Sequence, residues 1–169
     1  HLNDSILIVK QAKELGLNPK AWGFAVGPTS PDFREALGKD SDYIMGIGPW
    51  TAAMKFQGDD VFGTPQAFAD AMKAKYGEEK YTVVPYQAAS AAAALLAYQR
   101  AIEKAGSIEP KAVREALASL DFNSFYGPVK FSPEGIILKP MGVVQWGTDD
   151  TLATVYPADA AEREFVYPA

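Results

Sequence analysis

Apolar positions at the start of the chain recur first at helical and then at strand spacing. Ile6, Val9, Ala12 and Leu15 lie three apart on one face of a helix, and Asn3, Asp4 or Ser5 offers a side-chain oxygen to cap its start. Gly16 supplies a left-handed stop. Lys20–Val26 reads as a short buried strand closed by Gly27-Pro28. Ser30 followed by Pro31 is a cap with a proline at the first helical position, which opens a short helix to Leu37. Tyr43–Ile47 is a second buried strand, followed by the irregular Gly48-Pro49-Trp50.

The pattern then changes. Thr51–Gly63 shows no period and reads as a long connection, after which Thr64-Pro65 opens a helix ending at Gly77. Phe68, Met72 and Tyr76 share a side of that helix, and a longer one runs from Tyr86 to Ala105 before Gly106. Phe68, Met72 and Tyr98 sit at helical spacing and are expected in a core. Pro110 opens a further helix to Leu120, and from Asp121 the character becomes β. Gly127–Phe131 is a strand, Ser132-Pro133-Glu134-Gly135 a turn, and Met141–Trp146 with Leu152–Tyr156 a hairpin across Gly147–Thr151. The tail, Pro157–Ala169, carries no assignment.

Early helix–strand alternation implies parallel strands, because a parallel crossover needs a helix-length connection. Three successive helices and then antiparallel strands do not close into one doubly wound sheet. The order suits a chain that leaves one lobe, adds helices to another and returns. A doubly wound lobe normally opens with a strand, whereas this chain opens at a helix cap, so an upstream strand is expected.

Composition narrows the chemistry. Of the 169 residues, 48% are hydrophobic and 22% charged, the balance of a folded globular chain. A net charge of −5 disfavours nucleic acid and anionic lipid as partners. The absence of cysteine removes thiolate zinc sites, disulfides and cysteine nucleophiles. The single histidine, His1, leaves no Ser-His-Asp triad or multi-histidine metal site. No cofactor or metal is expected, and Asp59-Asp60, Glu78-Glu79, Asp149-Asp150, Glu162 and Glu164 read as solvated charges.

Four stretches in order, VKQAKELGLNPKAWGF, PDFREALGKDSDYIMGIGPW, YQAASAAAALLAYQRAIEKAGS and YGPVKFSPEG with VVQW and VYP, carry a resemblance. Together they resemble the carboxy-terminal half of solute-binding proteins of the branched-chain amino acid ABC transporter type. The resemblance covers Asn3 to Pro157 and implies an α/β, type I periplasmic binding protein fold: two doubly wound lobes joined by a hinge, with only the carboxy-terminal part here. It would place residues 1–48 in the second lobe and a hinge crossing at 49–55. Residues 56–120 would be helices packing on the first lobe, 121–157 β segments with the last crossing near Val143–Trp146, and 158–169 a tail. The implied activity is binding without chemistry: hinge closure on a small solute and its delivery to a membrane permease. The implied partners are that permease and the amino-terminal half of the same protein. The location would be periplasmic or extracytoplasmic, peripheral to the membrane, with any lipid anchor carried upstream.

In such a fold, ligands sit beyond the carboxyl ends of strands and at helix starts. The candidate contacts are therefore Leu2, Asn3 and Asp4 before the first helix, Ala25 and Val26 after the first strand, Trp50 at the crossing, and Tyr86 and Gln87 opening the long helix. Each also has a plain structural reading: capping for Asn3 and Asp4, anchoring for Trp50, helix packing for Tyr86. In the branched-chain amino acid binders a carboxylate near positions 25–28 holds the ligand's ammonium; here Phe24-Ala25-Val26-Gly27-Pro28 contains no acid. An ordinary α-amino acid then needs Asp4 or a residue from elsewhere, since a buried ammonium without a counter-charge is costly. Amino acids come first as ligand class, then aromatic or other small carboxylates, then amides. A ligand-sensing regulatory domain on the same fold, and a fragment of a Rossmann-like enzyme, are the competing functions. An export signal with a lipidation cysteine would favour transport, a fused transmembrane or helix-turn-helix segment sensing, and solute turnover the enzyme.

Overall fold

The computed structural model describes residues 1–167. Its elements in chain order are α1 (Leu2–Glu14), β1 (Gly23–Phe24), α2 (Pro31–Leu37), β2 (Met45–Gly48), α3 (Pro65–Tyr76), α4 (Tyr86–Ala105), α5 (Pro110–Ala118), β3 (Asp121–Ser124), β4 (Gly127–Lys130), β5 (Gly142–Trp146) and β6 (Leu152–Tyr156). The chain divides into two compact units, one formed by residues 1–53 with those from Met141 onward, the other by Met54–Pro140.

The first unit holds a four-stranded sheet in the order β1-β2-β5-β6. β1 and β2 are parallel, with Gly23 opposite Met45 and Phe24 opposite Gly46, as the helix between them requires. β5 runs antiparallel to β2, Met45 facing Gln145, and β5–β6 is the expected hairpin, closed by Gly147 N–H donating to Thr151 O at 2.9 Å. The sheet is therefore mixed. α1 ends in a Schellman turn: Gly16 takes φ +71°, Leu17 N–H reaches Ala12 O and Gly16 N–H reaches Lys13 O.

Beneath the sheet Val9, Phe33, Leu37, Ile44 and Trp146 form a core that Leu2, Ile6, Trp22, Phe24 and Leu152 border. The Trp146 indole N–H donates to Pro28 O at 2.9 Å inside it. Arg34 clasps the rim, donating to Gly38 O, Ser41, Asp42 and Asp150. Burial alone would push the guanidinium's pKa down; Asp42 and Asp150 more than offset this and hold it above its ordinary value. The tail is docked as well, with buried Gln145 exchanging hydrogen bonds with the backbone of Val166 and Glu162 accepting from Thr154 N–H.

Several expectations change here. α1 begins at Leu2 with His1 in the cap position, so Asn3, Asp4 and Ser5 lie inside its first turn rather than capping it. The acid Asp4 still complements the positive end of the helix. Leu15 is the residue on which the helix turns off, and it is 77% exposed. The buried strand expected over Lys20–Val26 shrinks to Gly23–Phe24, because β1 has one ladder neighbour and the chain folds at once into a 3-10 turn at Gly27–Thr29. Strand β2 starts two residues late, since Tyr43 takes φ +60°.

In the second unit, Thr64 Oγ1 caps α3 by accepting from Ala67 N–H at 3.1 Å, and Gly106 at φ +59° ends α4. α4 turns a stripe of small residues, Ala89, Ala93, Ala97 and Ala101, inward. Ala97 and Ala101 meet Val113, Ala116, Leu120 and Val129, so α5 and the β3–β4 hairpin can approach closely. Tyr98, expected in the core, is 53% exposed, because it falls outside the inward alanine stripe, on the side towards exposed Leu95. Phe68 is buried as expected and stacks on Phe125 with centroids 4.5 Å apart, with Phe62 edge-on to both.

The acids Asp59, Asp149 and Asp150 are exposed, as expected of solvated charges, but they and half-buried Asp60 also hold partners. Asp59 binds Arg100, Asp149 binds Arg163, and Asp60 accepts from the backbone N–H groups of Phe62, Gly63 and Phe125. Asp60 thus ties the irregular connection to the hairpin across a long span of sequence. We expect Asp60→Ala to destabilise the protein by about 2 kcal/mol, because three amides lose a charged acceptor, and Asp60→Asn by less. Chemical denaturation of both variants checks this; equal stability of Asp60→Ala and wild type would refute it.

Candidate functional site

The parallel pairing of β1 and β2 sends both chains out of one edge of the first unit's sheet. Ala25 and Val26 follow β1 directly, the first exposed and the second half-buried, and Pro49 and Trp50 follow β2. The turn after β1 is braced from two sides. Its Thr29 donates from both N–H and hydroxyl to Val26 O, and Gly46 of β2 lies so close that a Cβ there would come within 3.1 Å of the Pro28 ring.

The first turn of α1 joins the same edge. Any side chain at Gly27 would collide with Ser5, so only glycine allows α1 and the β1–α2 turn to meet this closely. Leu2, Asn3 and Asp4 lie on the turn that carries Ser5, and the structure therefore brings them together with Ala25 and Val26. Asn3 and Asp4 are exposed, whereas Leu2 leans on the core. Trp50 is 2% exposed, which makes it an anchor of the strand end as well as a candidate contact.

Tyr86 and Gln87 belong to the second unit, where they open α4 after Pro85. Tyr86 is half-buried and Gln87 exposed. One turn along, the Ser90 hydroxyl hydrogen-bonds the Tyr126 phenol at 2.8 Å. Burial pushes the Tyr126 phenol's pKa up, the Ser90 bond opposes this, and neighbouring Tyr86 adds to it. Behind the same ring, the Lys139 ammonium donates to the Tyr126 carbonyl and lies 3.4 Å from the Tyr126 ring centroid and 5.1 Å from that of Phe56. Burial lowers the Lys139 pKa from 10.5 to about 7.

Phe56, Ser90, Tyr126 and Lys139 were not among the residues that sequence reasoning singled out. Gly127 was expected to open a strand, and it does so at φ +109° with Phe56 packed over it. Lys139 is the one charge in the apolar stretch 136–141, and no local pattern signals that its amine folds back onto residue 126.

Residues 2–151 match the family described as periplasmic binding protein. Among solved structures, the chain is similar to a leucine binding protein from Thermotoga maritima, at 20% identity and a TM-score of 0.74, covering 91% of this chain and 41% of that one. It is similar to the branched-chain amino acid transporter substrate binding protein of Streptococcus pneumoniae in complex with isoleucine, at 20% identity and a TM-score of 0.66, covering 99% and 43%. A solute binding protein of an ABC transporter from R. palustris in complex with benzoate matches at 16% identity and a TM-score of 0.59, covering 88% and 45%. This chain thus spans less than half the length of the structures it matches.

The depressed Lys139 pKa has a consequence for stability. Between about 7 and 10.4 the unfolded chain holds a proton that the folded chain has released, so the Lys139 contribution to stability rises with pH across that window. Denaturation midpoints at pH 6.5, 8 and 9.5, compared between wild type and Lys139→Met, should show wild type gaining on the variant as pH rises; a constant difference would contradict it.

Proposed function

Because the chain belongs to the periplasmic binding protein family and has its type I fold, we propose that it is the carboxy-terminal part of an extracytoplasmic receptor that closes on a small solute and passes it to an ABC transporter permease. The observation that carries this reading is the gathering of α1's first turn, Ala25–Val26 and Trp50 at the carboxyl ends of the parallel pair, where open α/β sheets take their ligands. Support also comes from the family relatives, whose solutes are isoleucine in one structure and benzoate in another. The turn after β1 offers no acid for an ammonium; Asp4 is a carboxylate at the same edge, on the first turn of α1. The ligand class is therefore an amino acid or a related small carboxylate, with Asp4 the contact that an amine would require.

The lobe assignment belongs to the same proposal. The chain passes from one compact unit to the other after Ala53 and again after Pro140, and we assign the first passage to the hinge crossing at 49–55. The amino-terminal half of the receptor is the proposed cover for the α4 face that carries Leu95, Tyr98 and Ile102. On this reading the chain is a binder rather than a catalyst and the receptor is peripheral to the membrane; no helix among the described residues is long and apolar enough to cross one.

A thermal-shift screen of the complete receptor with branched-chain amino acids, aromatic acids, dicarboxylates, amides and urea tests the proposal. A cognate solute at about 100 times its Kd should add roughly 2.7 kcal/mol of stability, without turnover. No response across the panel, or consumption of the solute, would count against a transport receptor. In that receptor Tyr86→Ala should weaken solute binding about tenfold, near 1.4 kcal/mol, without loss of folding. Trp50→Ala should weaken binding and also cost about 3 kcal/mol of stability, because a buried indole is removed; unchanged affinity in both variants would remove these residues from the site. Expressed alone, this chain should self-associate or unfold without cooperativity, and a monomeric two-state transition by ultracentrifugation and calorimetry would show that it needs no other half.

A further inference from the structure

We propose that Lys139, seated against the rings of Phe56 and Tyr126, is a binding site for the carboxylate of a small organic acid. The half-buried arginines of the fold have acids beside them: Arg34 has Asp42 and Asp150, Arg100 has Asp59, and Arg163 has Asp149. Lys139 differs. Among the described residues no carboxylate lies within ion-pair distance of it, and its one hydrogen bond goes to the Tyr126 carbonyl. An ammonium has three protons to donate, so two remain for a ligand.

The cradle strengthens what such a ligand would gain. Two ring faces shield the amine from water without supplying a formal counter-charge, and a charge-assisted bond is strongest where water is excluded. The titratable group that faces the amine is the Tyr126 phenol, which burial keeps protonated and which is engaged by Ser90; Tyr86 stands behind it. Neither supplies the missing negative charge at neutral pH. The depressed Lys139 pKa agrees with a cation that lacks its anion, and a bound carboxylate would raise it again.

The purpose of this site rests on the receptor reading, since it would hold the acid group of the transported solute, but its test does not. The test uses the complete polypeptide with the Lys139 amine followed by NMR, assigned by its loss in Lys139→Met, and two probes of equal size, acetate and acetamide. Acetate should raise the midpoint of the Lys139 titration by about one pH unit, which is a tenfold preference for the charged amine. Acetamide should leave it unmoved. Acetate binding should weaken as pH rises from 6 to 8, and the acetate-dependent thermal shift should vanish in Lys139→Met and survive in Lys139→Arg. An unmoved midpoint with acetate, an equal response to acetamide, or an acetate shift that persists in Lys139→Met each overturns the proposal. None of these would alter a cognate solute found in the wider screen, so loss of this site and loss of the receptor reading can be told apart.

Discussion

The ladder that β2 makes on both sides organises the first unit. On one side it pairs in parallel with β1, a neighbour in sequence; on the other it pairs antiparallel with β5, so that Met45 faces Gln145. The second pairing closes a very long loop, and loop closure costs entropy that local contacts cannot offset. What offsets it is the set of contacts the pairing makes possible: Trp146 enters the core beside Val9 and Phe33, its indole satisfies Pro28 O, and the β5–β6 turn delivers Asp150 to Arg34. The edge of the parallel pair, where the candidate contacts gather, is rigid because these interactions hold it from behind.

The second unit solves a comparable problem with different chemistry. Its irregular connection from Met54 has no ladder to satisfy its amides, and the Asp60 carboxylate takes on those of Phe62 and Gly63 together with that of Phe125. The Phe62, Phe68 and Phe125 rings pack around that junction, and α4 contributes its alanine stripe rather than large side chains, so the contacts there are close rather than bulky. The same helix presents Tyr86 at its start and Ser90 one turn later, which links a residue expected from sequence to Tyr126 and Lys139.

Charge is distributed unevenly between the two groups of candidate contacts. The strand-end group offers Asp4 and backbone, with no cation among the residues singled out; the α4 group offers phenols, hydroxyls and a desolvated amine. Under the receptor proposal, a carboxylate would suit the second group and an ammonium the first. That division follows from which side chains each backbone segment carries, and it makes the ligand class an electrostatic question.

The sequence by itself determined the elements whose causes are local. The Gly16 stop, the Thr64-Pro65 start, α4 from Tyr86 to Gly106 and the β5–β6 hairpin each depend on a cap, a proline, a left-handed glycine or a two-residue period within a few positions. The four ordered stretches carried the family as well, which the match over residues 2–151 bears out. Tertiary structure decided the rest. It cut the strand expected over Lys20–Val26 to two residues, because an edge position and a tight turn at Gly27 leave it little to pair with. It placed Tyr98 in the open, because helical spacing says which residues share a face but not which face is buried. It turned Asp59, Asp60, Asp149 and Asp150 into ties by bringing up distant amides and arginines, and it carried Lys139 back over Tyr126. Such contacts arise from chain closure over long separations, and no local pattern of residues encodes where two remote segments meet.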